Sequence, residues 1–427
     1  MSVSSNRKTV VSLFSGVGGL DLGFHGGFKI PREYVGKSEK NHILIKPASR
    51  ARYVELRRTN FDILFANDIK PEAKVAWTNY FSKYGIDPSI YKVGSIVDLV
   101  KQHNEEGNIF PPKADVVIGG FPCQDFSLAG KRQGFKSNKS HSGQLMGNYS
   151  KPNIENRGSL YIWMREVINI IRPKVFIAEN VKGLISLTGA KKTIENDFSS
   201  ADDDGYLIYP PQVLHAGRYG VPQSRERIFF IGLRKDCMKK KALKRIEVGE
   251  FIPDEFNPYP LPTHLLDSDL PVNGAANFVA AGQALKGLVE PHKEKKDLSQ
   301  MWYSRARYYG KNLQGQSEIN VEGLAPTIRA EHHGNIEFRR LSKKNRGKNI
   351  TELEKGLRQR RLTVRECARL QTFPDDYDFV MSESKGHTDN ISASAAYRLI
   401  GDAVPPLLAY KISNRLDSIW GELFKKK

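Results

Sequence analysis

Three points in the chain carry residues able to do chemistry, each at the edge of a short apolar run. The run Asp115–Ile118 is followed by Gly119-Gly120-Phe121-Pro122-Cys123-Gln124. Pro122 stops an extended run and keeps Phe121 extended, so Cys123 stands just past a strand end. A thiol there can be held as thiolate by nearby backbone N–H groups or cations. The plainer fate of a cysteine is a small buried hydrophobe, which suits Cys237 and Cys367 better. Val175–Ala178 runs into Glu179-Asn180-Val181. A carboxyl at that point sits where water is scarce, and burial raises its pKa and makes it a proton-donor candidate; the alternative is a structural salt bridge. Gln223-Ser224-Arg225-Glu226-Arg227 leads into the apolar run Ile228–Gly232. In extended backbone Arg225 and Arg227 share one face and suit an anionic or carbonyl-bearing substrate, although an isolated Arg-x-Arg is more often surface charge.

Two further strand ends suit a ligand that must be cradled. Val10–Phe14 is followed by Ser15-Gly16-Val17-Gly18-Gly19-Leu20-Asp21. Its glycines permit a tight turn and close approach of backbone to ligand. Asp21 stands where the dinucleotide fingerprint wants its third glycine, which disfavours a nicotinamide cofactor. Asp62–Ala66 is followed by Asn67-Asp68, an acid at the strand end that commonly binds ribose hydroxyls. It lies 49 positions past Gly19, against the usual ~20, the excess being a basic insertion at about 29–60. Capping of the helix that begins near Pro71 is the competing role for Asp68.

Placing five such strand ends at one site requires a particular scaffold. Apolar runs alternate with helical patterns, at Pro71–Tyr84 and at Leu160–Ile171 for example. That alternation predicts an α/β fold, a Rossmann-like doubly wound and mostly parallel sheet with helices on both faces and ligands beyond the carboxyl ends of the strands. After about residue 233 the alternation stops, and lysine and arginine clusters with scattered prolines fill the next stretch. This predicts a second, smaller domain. The apolar pattern Pro405–Trp420 predicts a terminal helix docked on the first domain. The polar loop 125–150, next to Cys123, reads as a lid.

The motifs together resemble those of the DNA cytosine-5 methyltransferases, over nearly the whole chain outside 29–60 and 234–350. The resemblance rests on Phe14–Gly19, Asp68, Pro122-Cys123-Gln124, Glu179-Asn180-Val181, Gln223–Arg227, Arg361–Pro374 and Gly401–Pro406. It implies a class I S-adenosyl-L-methionine-dependent catalytic domain at 8–233, a target-recognition domain at 234–360, and a segment at 361–424 that returns to the catalytic domain. It implies Cys123 as the nucleophile toward cytosine C6, Glu179 at N3, Arg227 at O2, Arg225 at a nearby phosphate and Gln124 near the flipped nucleotide's backbone. Cofactor contacts are implied at Phe14, Ser15, Gly16, Gly18, Gly19, Leu20, Asp68, Ile69, Ser95, Ile96, Pro122, Leu160, Asp402, Ala403 and Val404. Two positions depart from the family: Ser95 stands where an acid is common, and Asp402 where an asparagine is usual. The reaction needs the base flipped out of the duplex.

Composition agrees with this reading. With 66 Lys+Arg against 47 Asp+Glu the formal charge is +19, as a protein that meets a polyanion would carry. Double-stranded DNA is the expected partner, bound by a monomer. Trp302–Tyr309 interleaves aromatic and basic side chains, and Thr327–Gly334 is a second candidate recognition loop. Arg305, Arg307 and Arg329 are the DNA-binding candidates, with Arg329 the first choice for reading a base because arginine to guanine is the commonest specific contact; a phosphate contact or a packed face is the plainer role for each. Three cysteines without a Cys-x-x-Cys pair exclude a disulfide framework and give no reason to expect a metal. No apolar run approaches the ~18–20 residues of a membrane span, and the opening residues turn polar too early for a secretory leader. The expectation is a cytoplasmic, nucleoid-associated modification enzyme. The rivals are a tRNA cytosine-5 methyltransferase, for which the stretch 234–360 is longer than needed, and a catalytically silent DNA-binding protein, disfavoured by the Cys123, Glu179 and Arg227 set.

Overall fold

The computed structural model describes residues 7–36, 39–45, 51–122, 160–187, 189–202, 204–249, 251–270, 275–310, 313–330, 335–381 and 391–425. Seven strands form the central sheet: β1 (Lys8–Leu13), β2 (Phe61–Asp68), β3 (Tyr91–Val93), β4 (Val116–Gly120), β5 (Val175–Val181), β6 (Tyr206–His215) and β7 (Glu226–Arg234), in the spatial order β3-β2-β1-β4-β5-β7-β6. β1 pairs in parallel with β2 and β4, β2 with β3, and β4 with β5. β7 runs antiparallel to both β5 and β6. The strand order reverses at β1, so the loops after β1 and β4 flank the switch point where such sheets bind ligands.

Alternation along each strand builds two apolar layers, because successive side chains point to opposite faces. Val10, Val116, Ile118, Val175, Ile177, Phe229 and Ile231 enter one layer, while Val11, Val117, Phe176, Ala178, Ile228 and Phe230 enter the other. Helices α1 (Gly19–His25) and α2 (Pro71–Phe81) cover the first face. Helices α3 (Ile96–Glu106), α4 (Leu160–Ile171) and α5 (Ala190–Ser199) cover the second. The expected doubly wound α/β sheet is therefore present. Two strands escaped the sequence reading for physical reasons. β3 has three residues, of which only Tyr91 is buried. β6 holds Pro210 and Pro211, which an edge strand tolerates because one side of its backbone faces no neighbour.

The change in sequence character at 234 is not matched by a change in packing. Helix α6 (Lys240–Val248) buries Ala242 and Ile246 in the first layer, and Tyr259 donates to Phe229 O at 2.7 Å. Helices α7 (Val364–Leu370), α8 (Ala393–Asp402) and α9 (Pro406–Leu423) complete the chain. The α9 helix lies on α1, where Ser413 Oγ donates to Gly23 O at 2.9 Å, the docking its apolar face required. Between α6 and α7 the strands are only two or three residues long. One of them, Ala325–Pro326, pairs in parallel with Gln223–Ser224. Ile319, Ala325, Ile328 and Ile336 belong to the same apolar layer as Val10 and Leu362, so this stretch shares its core with the sheet domain.

Candidate active site and cofactor cleft

The register of β4, β5 and β7 assembles the first part of the site. Gly120 pairs with Glu179, and Phe229 pairs with Glu179 from the other side. Arg227, two residues before Phe229, projects from the same face of β7 and brings Nε to 2.9 Å from Glu179 Oε1. A Cβ on Gly120 would fall 2.8 Å from Glu179 Oε2, so the glycine leaves room for the carboxyl. Asn180 Nδ2 donates to Phe121 O at 3.0 Å, which fixes where the chain leaves the sheet toward Pro122. Cys123 and Gln124, together with the expected lid 125–150, lie outside the described residues.

Glu179 is 6 % exposed. Burial pushes its carboxyl above the ordinary glutamate range. The Arg227 and Arg225 guanidinium groups pull it down, and the Asp402 carboxylate pushes it up again. Both sequence-based readings of Glu179 therefore meet here: it is a buried carboxyl with a raised pKa, and it is in an ion pair.

Arg225 turns inward. It is 1 % exposed, and its Nη1 and Nη2 donate to Ile328 O at 3.0 Å and Gly401 O at 3.1 Å. That is a brace between segments, in place of the expected phosphate contact. The reason is local. Gln223–Ser224 and β7 are separate strands, so the alternation that would put Arg225 and Arg227 on a common face is interrupted between them.

The loop after β1 forms the second part. Phe14, Gly16 and Gly18 have φ of 52°, 52° and 74°. A Cβ on Gly18 would lie 2.6 Å from Trp77 Cδ1, so conformation and space both demand glycine there. Ser15 N donates to Asn67 O at 2.7 Å, and Gly16 N donates to Asp68 Oδ2 at 2.9 Å. Asp68 Oδ1 accepts from Lys70 N at 3.0 Å, so the acid both turns the chain into α2 and faces the glycine loop. Ser95 Oγ accepts from Val97 N at 3.3 Å and caps α3. Phe121, Ile96 and Leu160 are buried in one layer with Phe14 packed on it. Pro122 is half-buried, Leu20 is buried, and Ile69 is exposed. Among the described residues other than its chain neighbours, the nearest atom to a Cβ placed on Gly16 is Asp68 Oδ2 at 3.9 Å. At Gly16 the loop is thus open, among the described residues, on the side of the Asp68 carboxylate, with an apolar wall nearby, an arrangement that fits a nucleoside with free hydroxyls. Asp21, which broke the dinucleotide fingerprint, accepts from Trp77 Nε1 at 2.7 Å in the interior. Burial pushes its pKa up to about 6.

Residues 400–404 join the two parts to the rest of the chain. Gln371 Nε2 donates to Ile400 O and Ala403 O at 2.7 and 3.1 Å. Lys70 Nζ lies 2.5 Å from Asp402 Oδ2. A Cβ on Gly19 would meet Val404 O at 2.2 Å, and one on Gly401 would meet Arg329 C at 2.2 Å. Gln223, buried, donates to Leu370 O and Gln371 Oε1 and accepts from Ile328 N. Gln223, Gln371, Asn180 and Lys70 are contributors that the residue-by-residue reading missed. The first three carried a clue, amide side chains set in apolar surroundings inside the motifs.

The DNA-binding candidates divide. Arg305 and Arg307 are exposed. Arg305 stacks 4.1 Å from the Tyr303 ring centre. Arg361 holds this loop from beneath, donating to Ala306 O and Arg307 O at 2.9 Å each and to Gly315 O at 2.6 Å. Arg329 is half-buried and paired with Glu337 at 3.1 Å. Residues 331–334 of the second candidate recognition loop lie outside the described residues. Cys367 is fully buried, with its thiol pushed well above its ordinary pKa by that burial. Among the described residues no group of three or more His, Cys, Asp or Glu could hold a metal ion, and no helix is long and apolar enough to cross a membrane.

The family model "C-5 cytosine-specific DNA methylase" matches residues 53–418. Among similar proteins, the Type II methyltransferase M.BsuRI of Bacillus subtilis is 30 % identical over 420 residues, spanning 96 % of this chain and 79 % of that protein. The Type II methyltransferase M.NgoFVII of Neisseria gonorrhoeae is 26 % identical over 436 residues, spanning 100 % of this chain and 91 % of its own length. In fold the chain is similar to the S. pombe Dnmt2 methyltransferase, with a TM-score of 0.53 at 17 % identity, covering 96 % of this chain and 98 % of that one. With motif-bearing strand ends gathered at one sheet edge and a family model spanning most of its length, the chain belongs to the C-5 cytosine-specific DNA methylases.

Proposed function

We propose that this DNA cytosine-5 methyltransferase works through Cys123, Glu179 and Arg227 on a cytosine flipped out of duplex DNA, with the cofactor S-adenosyl-L-methionine bound between the loop after β1, Asp68 and residues 402–404. The observation that carries the reading is the Glu179–Arg227 pair at 2.9 Å, beside the strand end that leads through Pro122 to Cys123.

The chemistry follows from these groups. Cytosine C5 is a poor nucleophile while the ring is aromatic. Addition of the Cys123 sulfur at C6 breaks the aromaticity and drives charge toward N3 and O2. A raised-pKa carboxyl at Glu179 can deliver a proton to N3, and the Arg227 guanidinium can bind O2. The bound cofactor supplies an electrophilic methyl group on a sulfonium. Loss of the C5 proton to solvent, expulsion of the Cys123 thiolate and return of the N3 proton to Glu179 then restore the ring. Asp68 would hold ribose hydroxyls, and Phe14, Ile96 and Leu160 would line the adenine side. Arg305 and Arg307, on the loop held by Arg361, would meet the duplex, and Gln124 would contact the flipped nucleotide's backbone. The protein acts as a monomer and protects cytoplasmic, nucleoid DNA from a cognate endonuclease.

The test is covalent capture. Duplex DNA carrying 5-fluorocytosine, incubated with the protein and S-adenosyl-L-methionine, should yield a complex stable to denaturant, and Cys123→Ser should yield none. Capture by Cys123→Ser at the wild-type level would refute the nucleophile assignment. Bisulfite sequencing of DNA from expressing cells reads the modified motif.

A further inference from the structure

Lys70 has no part in the chemistry above, and this chain carries an acid at 402 where the family resemblance leads one to expect a neutral amide. The two facts meet in space. Lys70 Nζ and Asp402 Oδ2 stand 2.5 Å apart although 332 residues separate them in sequence. Each side chain is 39 % exposed, so the pair sits at a rim and not in the core. Lys70 follows Asp68 by two residues and takes the N-cap position of α2, while Asp402 ends α8. The pair thus ties the wall that holds Asp68 to the segment 401–404, which touches Gly19 on one side and the backbone of Arg329 and Ala330 on the other.

The charged groups that act on the Lys70 ammonium are Asp402, Asp68 and Arg398. Two carboxylates, the Lys70 ammonium and, acting on that ammonium as a like charge, the Arg398 guanidinium share this end of the cleft. Without the ammonium, Asp68 and Asp402 would face each other as like charges from opposite walls. The Asp402 carboxylate also acts on Asp68 and on Glu179, so its neutralisation matters to both halves of the site.

We propose that Lys70 is a positioning residue of the cofactor cleft: its ammonium neutralises the extra carboxylate this chain carries at 402 and clasps residues 401–404 to the Asp68 wall. The inference rests on the cofactor-site reading above, and it predicts an asymmetry. Lys70→Gln leaves two like charges across the cleft. Asp402→Asn leaves Lys70 with Asp68 as its remaining partner and does less harm. In the double variant the repulsion is gone.

Calorimetric titration of the full chain with S-adenosylhomocysteine, without DNA, tests this. Lys70→Gln should weaken binding about fivefold, the upper range for an ion pair this exposed, and Asp402→Asn about twofold. Adding Asp402→Asn to Lys70→Gln should bring binding back to within about twofold of wild type. The Lys70→Gln defect should shrink at ~1 M salt, where the Debye length is about 3 Å; lost packing would not respond in this way. Thermal unfolding of each variant checks that it is folded. Wild-type affinity in Lys70→Gln, a double variant no better than Lys70→Gln, or a defect indifferent to salt would each overturn the clasp. Failure of the wild-type chain to bind S-adenosylhomocysteine would instead overturn the cofactor-site reading.

Discussion

Gly401 is a point at which the proposed cofactor side of the molecule touches the proposed recognition side, and Gly401→Ala would probe that contact directly. A Cβ there would lie 2.2 Å from Arg329 C and 2.4 Å from both Ala330 N and Arg329 O. Ordinary contact begins near 3.4 Å, so one side must retreat by about 1 Å. The 401 side is fastened by Gln371 at Ile400 O and Ala403 O and by the Lys70–Asp402 pair. The facing segment is held by Ile328 N to Gln223 Oε1, Arg225 Nη1 to Ile328 O, Thr327 Oγ1 to Ser224 O and Arg329 to Glu337. Gly401 lies inside the hydrogen-bonded helix α8, whereas Arg329 and Ala330 lie in a stretch without regular structure, so the displacement should fall on residues 329–330. Overpacking of this kind costs about 1–3 kcal/mol, and a 1 Å misplacement of a positioning segment can lower a rate by ~10²-fold. Transfer of labelled methyl groups to unmethylated duplex DNA, measured alongside S-adenosylhomocysteine titration and thermal unfolding, gives the readout. Methyl transfer should fall by at least about tenfold while cofactor affinity stays within about threefold and the chain remains folded. Transfer at the wild-type rate, or loss of cofactor affinity in step with transfer, would refute the view that residue 401 acts through the Arg329–Ala330 segment.

Asp21→Asn tests the buried carboxyl under Trp77. Its folded pKa of about 6 lies above the ordinary 3.8, so its favourable contribution is complete below about pH 4 and is lost as pH rises through 6. The stability of Asp21→Asn relative to wild type should therefore climb between pH 4 and 7, by up to about 3 kcal/mol; a flat difference in urea unfolding would contradict the assignment. Arg225→Met should cost about 3–5 kcal/mol of stability, because two buried carbonyls lose a charged donor. Unfolding within about 0.5 kcal/mol of wild type would mean that Arg225 is not the brace described. Binding to duplex DNA should weaken steeply between 50 and 200 mM salt if exposed arginines such as Arg305 and Arg307 displace counterions from phosphate, and affinity independent of salt would argue against that interface.

Much of the fold was legible because strands buried on both faces read as unbroken apolar runs. The runs containing Val10, Ile63, Val117, Ile177 and Phe230 all proved to be strands of the central sheet. β3 and β6 were not legible, because β3 is too short to show a pattern and two prolines interrupt β6. The site was legible where a residue type is chemically unusual at a strand end, as with Glu179 after an apolar run. It was not legible where a role depends on a partner far along the chain. Nothing near Lys70 announces Asp402, and nothing near Arg361 announces the carbonyl groups of Ala306 and Gly315.

The alternation of apolar runs, a property of local residue spacing, sufficed to indicate the doubly wound sheet, and the motifs at the strand ends resembled those of the methylase family to which the chain belongs. Which arginine faces Glu179 and which turns inward was decided by tertiary structure. A strand break at Arg225 and the approach of Ile328 and Gly401 set its environment, and spacing along one strand carries no information about either. The same holds for the pairing of Lys70 with Asp402: a charge has an energy only relative to its neighbours in space, and those neighbours come from the fold.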